Sequence, residues 1–254
     1  MAPPRPFPPP SLALIACRVV EAELEHVARD ATHVVRREFL ELQLHDHPAE
    51  LHRHLAAAVA RAEADRAVNA IALAYGLCGR ALVGLSPRRC RVVVPRAHDC
   101  VTLLLGNKER YAARMQSEPG TYWFSPGWTR GGRVVGPGRD ASLRREYAGR
   151  FTSEQIEALL ELEREGLAQH HHGACVDHGL PGDEACRARA ACDARALGWS
   201  FDAHPGDPAL LRDLILGPWD EERFLVVAPG EQIAQAVDER ILQARPVPVA
   251  PPAP

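Results

Sequence analysis

Hydrophobic positions along the chain fall into short continuous runs, and these runs alternate with longer segments that have helical spacing. The continuous runs are typical of strands buried on both faces of a parallel sheet. We predict eight strands, over Leu12–Cys17, His33–Leu42, Ala70–Tyr75, Arg91–Pro95, Gly120–Phe124, Ala174–Asp177, Trp199–Ala203 and Phe224–Val227.

Between the predicted strands, apolar residues recur at the spacing of an amphipathic helix, as Leu51, Leu55 and Val59 do. Pro48 is expected at the first helical position and Asp46 as its capping residue, while Ser153 begins a segment that resembles a helix cap. The predicted helices are Val19–Ala28, Pro48–Ala64, Cys100–Leu105, Lys108–Gln116, Ala141–Ala148, Ser153–His170, Asp183–Leu197 and Pro208–Leu216.

This alternation predicts an α/β fold with a mostly parallel, doubly wound sheet and helices on both of its faces. The α/β domain is expected over residues 12–245, with two similar lobes at 12–118 and 119–230. The proline-rich ends, residues 1–11 and 246–254, are predicted to be disordered tails because they bury too little apolar surface.

Composition narrows the function classes. The 254 residues carry a net charge of −3, which gives no reason to expect a nucleic-acid partner. No apolar run approaches the roughly 20 residues that span a bilayer, and the N-terminus lacks the apolar region of a signal peptide. A cytoplasmic, reducing location is therefore expected. There, the seven cysteines should be thiols, metal ligands or redox groups.

Three of those cysteines follow predicted strands. Cys17 closes the first strand, Cys78 lies in the turn after the third, and Cys100 with His98 lies after the fourth. In doubly wound sheets these three strands are neighbours, and ligands bind beyond their carboxyl ends. We therefore expect the four side chains to share one crevice, with Gly76 and Gly79 shaping a tight cofactor-binding loop around Cys78.

Thiolate and neutral imidazole are standard zinc ligands, so these four residues predict a zinc site with an open position for a small-molecule substrate. An iron–sulfur cluster is the alternative, because cysteines usually hold such clusters. Two interpretations without a metal stay open. The cysteines could be small buried hydrophobes, or Cys78 or Cys100 could act as a nucleophile with His98 as its base.

Two further residues are candidates for catalysis. Asp177 closes a predicted strand and could be an acid or base, or it could cap the helix that follows. Arg96 could bind an anionic substrate through its planar guanidinium, or pair with Asp99. Three aromatic side chains could line the pocket wall, although at least one is expected in the core: Tyr122, Trp123 and Trp128.

The remaining cysteines do not predict a second metal site, although histidines surround them. Cys186 and Cys192 lie about 240° apart around one predicted helix and share no face. The histidines at 170–172, upstream of Cys175, are expected at a solvated helix end. Cys90 lies before the fourth strand, at the opposite edge of the sheet, and has no predicted role.

Several motifs resemble the domain-of-unknown-function family 1638. The motifs are Leu14-Ile-Ala-Cys17, Glu23-Leu24, Tyr75-Gly-Leu-Cys-Gly79, Pro95-Arg-Ala-His-Asp-Cys100, Gly120-Thr-Tyr122 and Ser125-Pro-Gly-Trp128. The resemblance extends over about residues 12–230. One departure lies at Asp177-His-Gly179, where the family leads us to expect a run such as Asp-Thr-Gly.

The resemblance implies a cytoplasmic protein encoded beside corrinoid-dependent methyltransferase systems, and hence a role in methyl or one-carbon transfer. A corrinoid protein or a methyltransferase is the partner it implies. His98-Asp-Cys100 is also similar to the His-x-Cys element of zinc methyltransferases that activate thiols. A metal-free accessory protein that binds a corrinoid is the alternative, although the corrinoid-binding Asp-x-His-x-x-Gly signature is absent from the sequence.

Overall fold

The structure is a computed structural model that describes residues 11–131 and 135–248. Its strands are β1 (Leu12–Cys17), β2 (Val34–Leu40), β3 (Ala70–Ala74), β4 (Arg91–Pro95), β5 (Thr121–Phe124), β6 (His172–Asp177), β7 (Ser200–Pro205), β8 (Phe224–Val227), β9 (Glu231–Gln235) and β10 (Leu242–Pro246). Its helices are α1 (Glu21–Val27), α2 (Pro48–Ala64), α3 (Cys100–Leu105), α4 (Lys108–Ser117), α5 (Pro126–Arg130), α6 (Arg139–Tyr147), α7 (Ser153–Ala168), α8 (Asp183–Ala196) and α9 (Ala209–Leu216).

The chain divides into two compact units. Among the described residues, the first combines residues 11–108 with 207–248, and the second is the segment inserted between them, from residue 109 to residue 206. The division therefore starts ten residues before the lobe boundary expected at 118/119, and the last part of the chain returns to the first unit. Residues 1–10 and 249–254 of the expected tails lie outside the described residues, whereas Pro246 ends a strand.

The first unit contains a five-stranded sheet with the order β2-β1-β3-β4-β8. All neighbouring strands are parallel except β4 and β8. The prediction that strands one, three and four are neighbours is confirmed, and β2 lies on the outer side of β1. Strands β1 and β3 are buried because nearly every residue in them is apolar, from Leu12 to Ala16 and from Ala70 to Ala74.

The second unit has its own sheet, in which β5, β6 and β7 run parallel in that order. Helix α8 follows β6 and packs on it, and buried residues of both elements share an apolar cluster with Phe124 and Val135. Together, the two mostly parallel sheets and their helices confirm the predicted α/β class.

Two β-strands were not predicted from the sequence. β9 and β10 form an antiparallel hairpin in the first unit, in the segment where a loop and the start of a disordered tail were expected. Each strand has one buried residue, Ile233 in β9 and Leu242 in β10. Strands this polar lack the apolar run from which the others were predicted.

Two predicted helix caps are corrected by the structure. The α7 cap is Thr152 rather than Ser153: the Thr152 hydroxyl accepts from the Gln155 N–H at 3.3 Å, and the Gln155 side chain accepts from the Thr152 N–H at 2.9 Å. At α2, Pro48 begins the helix as predicted, but the capping residue is His47 rather than Asp46, and the His47 side chain makes no capping hydrogen bond.

No helix within the described segments is both long and apolar enough to cross a membrane.

Candidate functional site

Two loops of the first unit meet beyond the carboxyl ends of β3 and β4. The Leu77 N–H donates to the Ala97 carbonyl at 2.9 Å, and the Cys78 N–H donates to the His98 carbonyl at 3.1 Å. Gly76 is required here because a Cβ on it would lie 2.5 Å from the Asp99 nitrogen. The space beside Gly76 is thus filled by the neighbouring loop of the protein itself.

The backbone around Cys78 has an unusual conformation. Cys78, Gly79 and Arg80 have φ values of 44°, 64° and 75°, in the left-handed region. For a residue other than glycine this conformation costs about 1–3 kcal/mol, and such residues cluster at functional sites. Gly79 supplies the conformational freedom expected of it, and a Cβ there would lie 3.0 Å from Pro48 Cγ.

The other two cysteines of the cluster follow the neighbouring strands. Cys17 is the last residue of β1, and a 3-10 helix follows it directly. Cys100 is the first residue of α3, whose capping residue is Asp99: its carboxylate accepts from the Thr102 N–H at 3.1 Å. Asp99 therefore caps a helix, which was not among its predicted roles.

The thiols of Cys17, Cys78 and Cys100 lie close enough that their charges would repel one another. Burial raises the pKa of Cys78 to about 12, and the charges of Cys17 and Asp99 add to this effect. Burial also raises the pKa of Cys100 well above its usual range and raises that of Cys17, although the Val19 N–H opposes the shift at Cys17. All three sulfurs are therefore held as neutral thiols.

Tyr75 is the residue of this cluster that sequence reasoning missed. Its side chain is 3% exposed, and its hydroxyl lies next to the Cys17 thiol without a well-formed hydrogen bond among the described residues. Burial and the three neighbouring cysteines raise the pKa of Tyr75 well above its usual range. Its position at the end of β3, directly before Gly76, is the signal that could have identified it.

The other two candidates of the first unit, His98 and Arg96, have surroundings that differ from those of the three thiols. The His98 side chain is exposed. Arg96 is buried, and it donates to the backbone carbonyls of Glu221 at 2.8 Å, Arg240 at 3.0 Å and Leu242. The guanidinium therefore ties β4 to the hairpin strand β10 and the segment before β8. These partners of Nε and Nη1 are carbonyl oxygens, and no hydrogen bond from Arg96 to Asp99 is among them.

Donor chemistry suits a soft metal ion at the three thiols. In their present orientation, however, no three His, Cys, Asp or Glu side chains in the described parts of the chain are arranged to hold one. Binding would require rotation of the cysteine side chains toward a common point. Cys90 is not a further ligand, because its buried thiol donates to the Val68 carbonyl at 3.4 Å.

Candidates in the second unit have local partners. Asp177 accepts from the Gly179 N–H at 2.9 Å and pairs with Arg187, and both contacts lower its pKa. It stabilises the turn after β6, while the α8 capping residue is Gly182. The expected aromatic residues pack within this unit: Tyr122 against Phe124, His170 and Trp199, and Trp123 edge-on to His204.

The solvated helix end expected at residues 170–172 is wrong for His172. This residue begins β6 and is 7% exposed, and its ring contacts Ser200 Oγ at 2.6 Å and Asp202 at 3.1 Å. Its burial follows from the central position of β6 in its sheet. The expected separation of Cys186 from Cys192 is confirmed, since Cys186 is buried and Cys192 exposed.

Sequence reasoning missed the contact in this unit between Cys175 of β6 and Cys186 of α8. Their sulfurs are 3.5 Å apart, and Cys186 also lies 3.3 Å from Thr129 Oγ1. The signal that could have found the pair is the β-loop-α connection, because a residue near a strand end and one in the first turns of the next helix lie side by side.

No curated protein and no solved structure matches the chain. A family model described as "Protein of unknown function (DUF1638)" matches residues 39–215, a narrower range than the resemblance expected over 12–230. The matched range contains Cys78, His98 and Cys100, and Cys17 lies before it. Because the match covers well over half of the 254 residues, the chain belongs to the DUF1638 family.

Proposed function

We propose that Cys17, Cys78 and Cys100 bind a single zinc ion and that the resulting centre acts on a small thiol or methyl-bearing substrate. The observation that carries the proposal is the meeting of three thiols from three separate strand ends, at the edge where parallel sheets bind ligands. Three thiols with one open position match the ligand number of a catalytic zinc site.

Electrostatics favour this proposal over a metal-free thiol nucleophile. A nucleophile must be available as the thiolate, but burial and mutual repulsion raise the pKa of all three thiols. A divalent cation among the sulfurs would offset that repulsion and favour the deprotonated ligands. The same three groups that make poor nucleophiles alone are therefore suitable ligands for a cation.

Zinc is favoured over an iron–sulfur cluster because of the number of cysteines. Iron–sulfur clusters are usually held by four cysteines, whereas only three cysteines belong to the proposed site. The fourth position could be taken by the exposed imidazole of His98, two residues before Cys100, or by the substrate. When bound, zinc would lower the pKa of a substrate thiol and hold it as a thiolate nucleophile.

Corrinoid-linked methyl transfer is the reaction class that we propose for this centre, with a corrinoid protein or a methyltransferase as its partner. The support is the family resemblance together with the thiol-rich site, since zinc–thiolate centres suit the activation of a thiol that accepts a methyl group. Tyr75, buried among the thiols, would orient the Cys17 sulfur.

The test is the metal content of the full chain purified without oxygen. We expect about one zinc per chain in the wild type, loss of zinc in Cys78→Ser, and retention in the matched control Cys192→Ser, which alters an exposed cysteine of the second unit. Iron and acid-labile sulfide, measured on the same samples, would instead indicate a cluster.

Thermal unfolding of each variant separates loss of metal from loss of fold. A Cys78→Ser protein that unfolds cooperatively yet lacks zinc supports the proposal. Stoichiometric zinc in that variant, or none in the wild type, contradicts it. Cobalamin, titrated into metal-free wild type, then tests the alternative of a corrinoid-binding accessory protein through its visible spectrum.

A further inference from the structure

A pair of cysteines in the second unit is placed for chemistry that the zinc proposal does not use. Cys175 lies near the carboxyl end of β6 and Cys186 lies in the first turns of α8. Their sulfur atoms are 3.5 Å apart, and the residues are 0% and 3% exposed. Two thiols in direct contact inside an apolar cluster differ from cysteines that merely fill space.

Hydrogen bonding makes the two thiols unequal. Cys175 donates its S–H to the Cys186 sulfur, which also contacts the Thr129 hydroxyl. These contacts lower the pKa of Cys186 to about 7. The pKa of Cys175 is instead raised by its hydrogen bond to Cys186 and by burial. One thiolate beside one neutral thiol is the arrangement in which the first can react and the second can follow.

Each carboxylate near the pair has hydrogen-bond donors of its own, although Asp183 Oδ1 is buried without a hydrogen-bond partner among the described residues. Asp183 accepts from the N–H groups of His178 and Leu180, each at 2.8 Å, and Asp177 accepts from Gly179 and Arg187. The pair therefore offers two sulfur donors and no third ligand among the described side chains. Two ligands suit thiol–disulfide chemistry better than a zinc site, which takes at least three.

One residue of α5 connects the pair to the surface of its unit. Thr129 is exposed on the surface of its unit, while its hydroxyl contacts the Cys186 sulfur beneath it. The Cys186 sulfur therefore lies directly beneath a surface residue, which favours a small-molecule oxidant over another protein as its reaction partner.

We propose that Cys175 and Cys186 form a redox-active dithiol that small peroxides convert to a disulfide, with Cys186 as the attacking sulfur and Cys175 as the resolving one. The geometry that carries this inference is the contact between the two sulfurs, one on a strand end and the other on the helix that follows.

The reaction balances with hydrogen peroxide as the oxidant. The Cys186 thiolate attacks one peroxide oxygen, the O–O bond breaks, and hydroxide leaves and takes up the proton that Cys186 had released. The Cys175 sulfur then attacks the Cys186 sulfenic acid. An S–S bond forms, the S–O bond breaks, and the oxygen leaves as water with the Cys175 proton. Two thiols lose two electrons in total, and one peroxide becomes two waters.

The test uses the full-length protein, reduced and then treated with equimolar hydrogen peroxide, alkylated and digested with trypsin. Both cysteines fall in one tryptic peptide, residues 165–187, because no lysine or arginine interrupts it. We expect this peptide to be two hydrogens lighter and to resist alkylation after peroxide. Dithiothreitol should restore both alkylation sites.

Variants separate the roles of the two sulfurs. In Cys175→Ser no disulfide should form, and Cys186 should be trapped as a sulfenic acid by dimedone. The matched control Cys192→Ser, in the same helix but exposed, should form the disulfide as the wild type does. Full alkylation of the wild-type peptide after peroxide, or a disulfide to Cys192, would overturn the proposal. So would a bound metal ion that is lost in Cys175→Ser and retained in Cys78→Ser.

Discussion

Both cysteine clusters of this protein lie toward the carboxyl ends of parallel strands, but they differ in the pKa values of their thiols. At the end of the five-stranded sheet, burial and mutual repulsion raise the pKa of Cys17, Cys78 and Cys100. At the end of the three-stranded sheet, a thiol and a hydroxyl beside Cys186 lower its pKa to about 7. Position in the fold alone therefore does not determine what a cysteine does.

The difference lies in the hydrogen-bond donors around each sulfur. In the first cluster, three thiols and the Asp99 carboxylate lie near one another, and their negative charges would repel. The thiols of this cluster therefore need a cation beside them to lose their protons. The second surrounds one sulfur with a thiol donor and a hydroxyl, and can hold one negative charge without a cation. The first environment suits a metal ligand, and the second suits a redox thiol.

The largest effect is expected when the loops that carry the first cluster are forced apart. An alanine Cβ at Gly76 would lie 2.5 Å from the Asp99 nitrogen and 2.7 Å from its Cα. Since backbone atoms cannot give way as a flexible side chain does, Gly76→Ala should cost roughly 1–3 kcal/mol of unfolding free energy. It should also abolish zinc binding while leaving peroxide oxidation of the second cluster unchanged. Urea denaturation and the metal and peptide assays measure the three quantities.

The matched control is Gly166→Ala, because a Cβ there meets no atom within 4 Å and the position is helical. It should stabilise the protein by up to about 1 kcal/mol, since alanine favours the helix. Equal stability of Gly76→Ala and wild type would mean that the two loops are not packed together as described.

Continuous apolar sequences made the first sheet predictable. Runs such as Leu12–Cys17 have no polar face, so they specify a central parallel strand, and right-handed crossovers then order the neighbours. The β9–β10 hairpin carried no such signal, because its strands are mostly polar and the second ends at Pro246. The chain after residue 206 belongs to the first unit again, and this depends on tertiary contacts that local sequence patterns do not encode.

The two cysteine clusters differ in how far the sequence predicts them. Cys17, Cys78 and Cys100 were grouped because each follows a strand and strand order could be inferred. Cys175 and Cys186 were missed because spacing along one helix compared Cys186 with Cys192 and left out the strand before it. Whether the pKa of a thiol is raised or lowered depends on the contacts of single atoms, such as that of Thr129 Oγ1 with Cys186. Sequence patterns do not contain such contacts.

An intermediate effect is expected when the hydroxyl beside the second cluster is removed. Thr129 Oγ1 donates to the Ser125 carbonyl at 3.0 Å and can turn to the Cys186 thiolate at 3.3 Å. Thr129→Val keeps the shape and removes this donor, so the pKa of Cys186 should rise. A rise of one pKa unit would slow alkylation at pH 7 about fivefold. The check is the iodoacetamide rate at residues 165–187, which should increase in wild type as pH rises through about 7.

Thr152→Val is the matched control, because it removes a hydroxyl that caps α7 and is not among the groups that shift the pKa of Cys186. It should reduce stability by about 1 kcal/mol and leave the alkylation rate unchanged. An equal rate in Thr129→Val and wild type would show that Cys175 alone holds the thiolate.

The smallest effect is expected from the carboxylate beside the same pair. Asp177 raises the pKa of both Cys175 and Cys186 through its charge, so Asp177→Asn should favour the Cys186 thiolate. Because about half of Cys186 is already deprotonated at pH 7, its alkylation rate can at most roughly double. Glu184→Gln, an exposed charge in the first turn of α8, is the control and should leave the rate unchanged.

The same substitution should also change the acid stability of the protein. The Gly179 N–H and Arg187 hold the pKa of Asp177 below its usual range, so its contribution to stability is present above the unfolded-state pKa, about 3.9. That contribution is lost as pH falls through the lower folded-state value. Urea denaturation at pH 7 and pH 3 should therefore show a smaller acid destabilisation in Asp177→Asn than in wild type, by up to about 1 kcal/mol because Arg187 is largely exposed. Asp177→Asn could speed alkylation without this change in acid stability. In that case Asp177 would act on the thiols through its charge alone, and its contacts in the turn would contribute nothing to the stability of the fold.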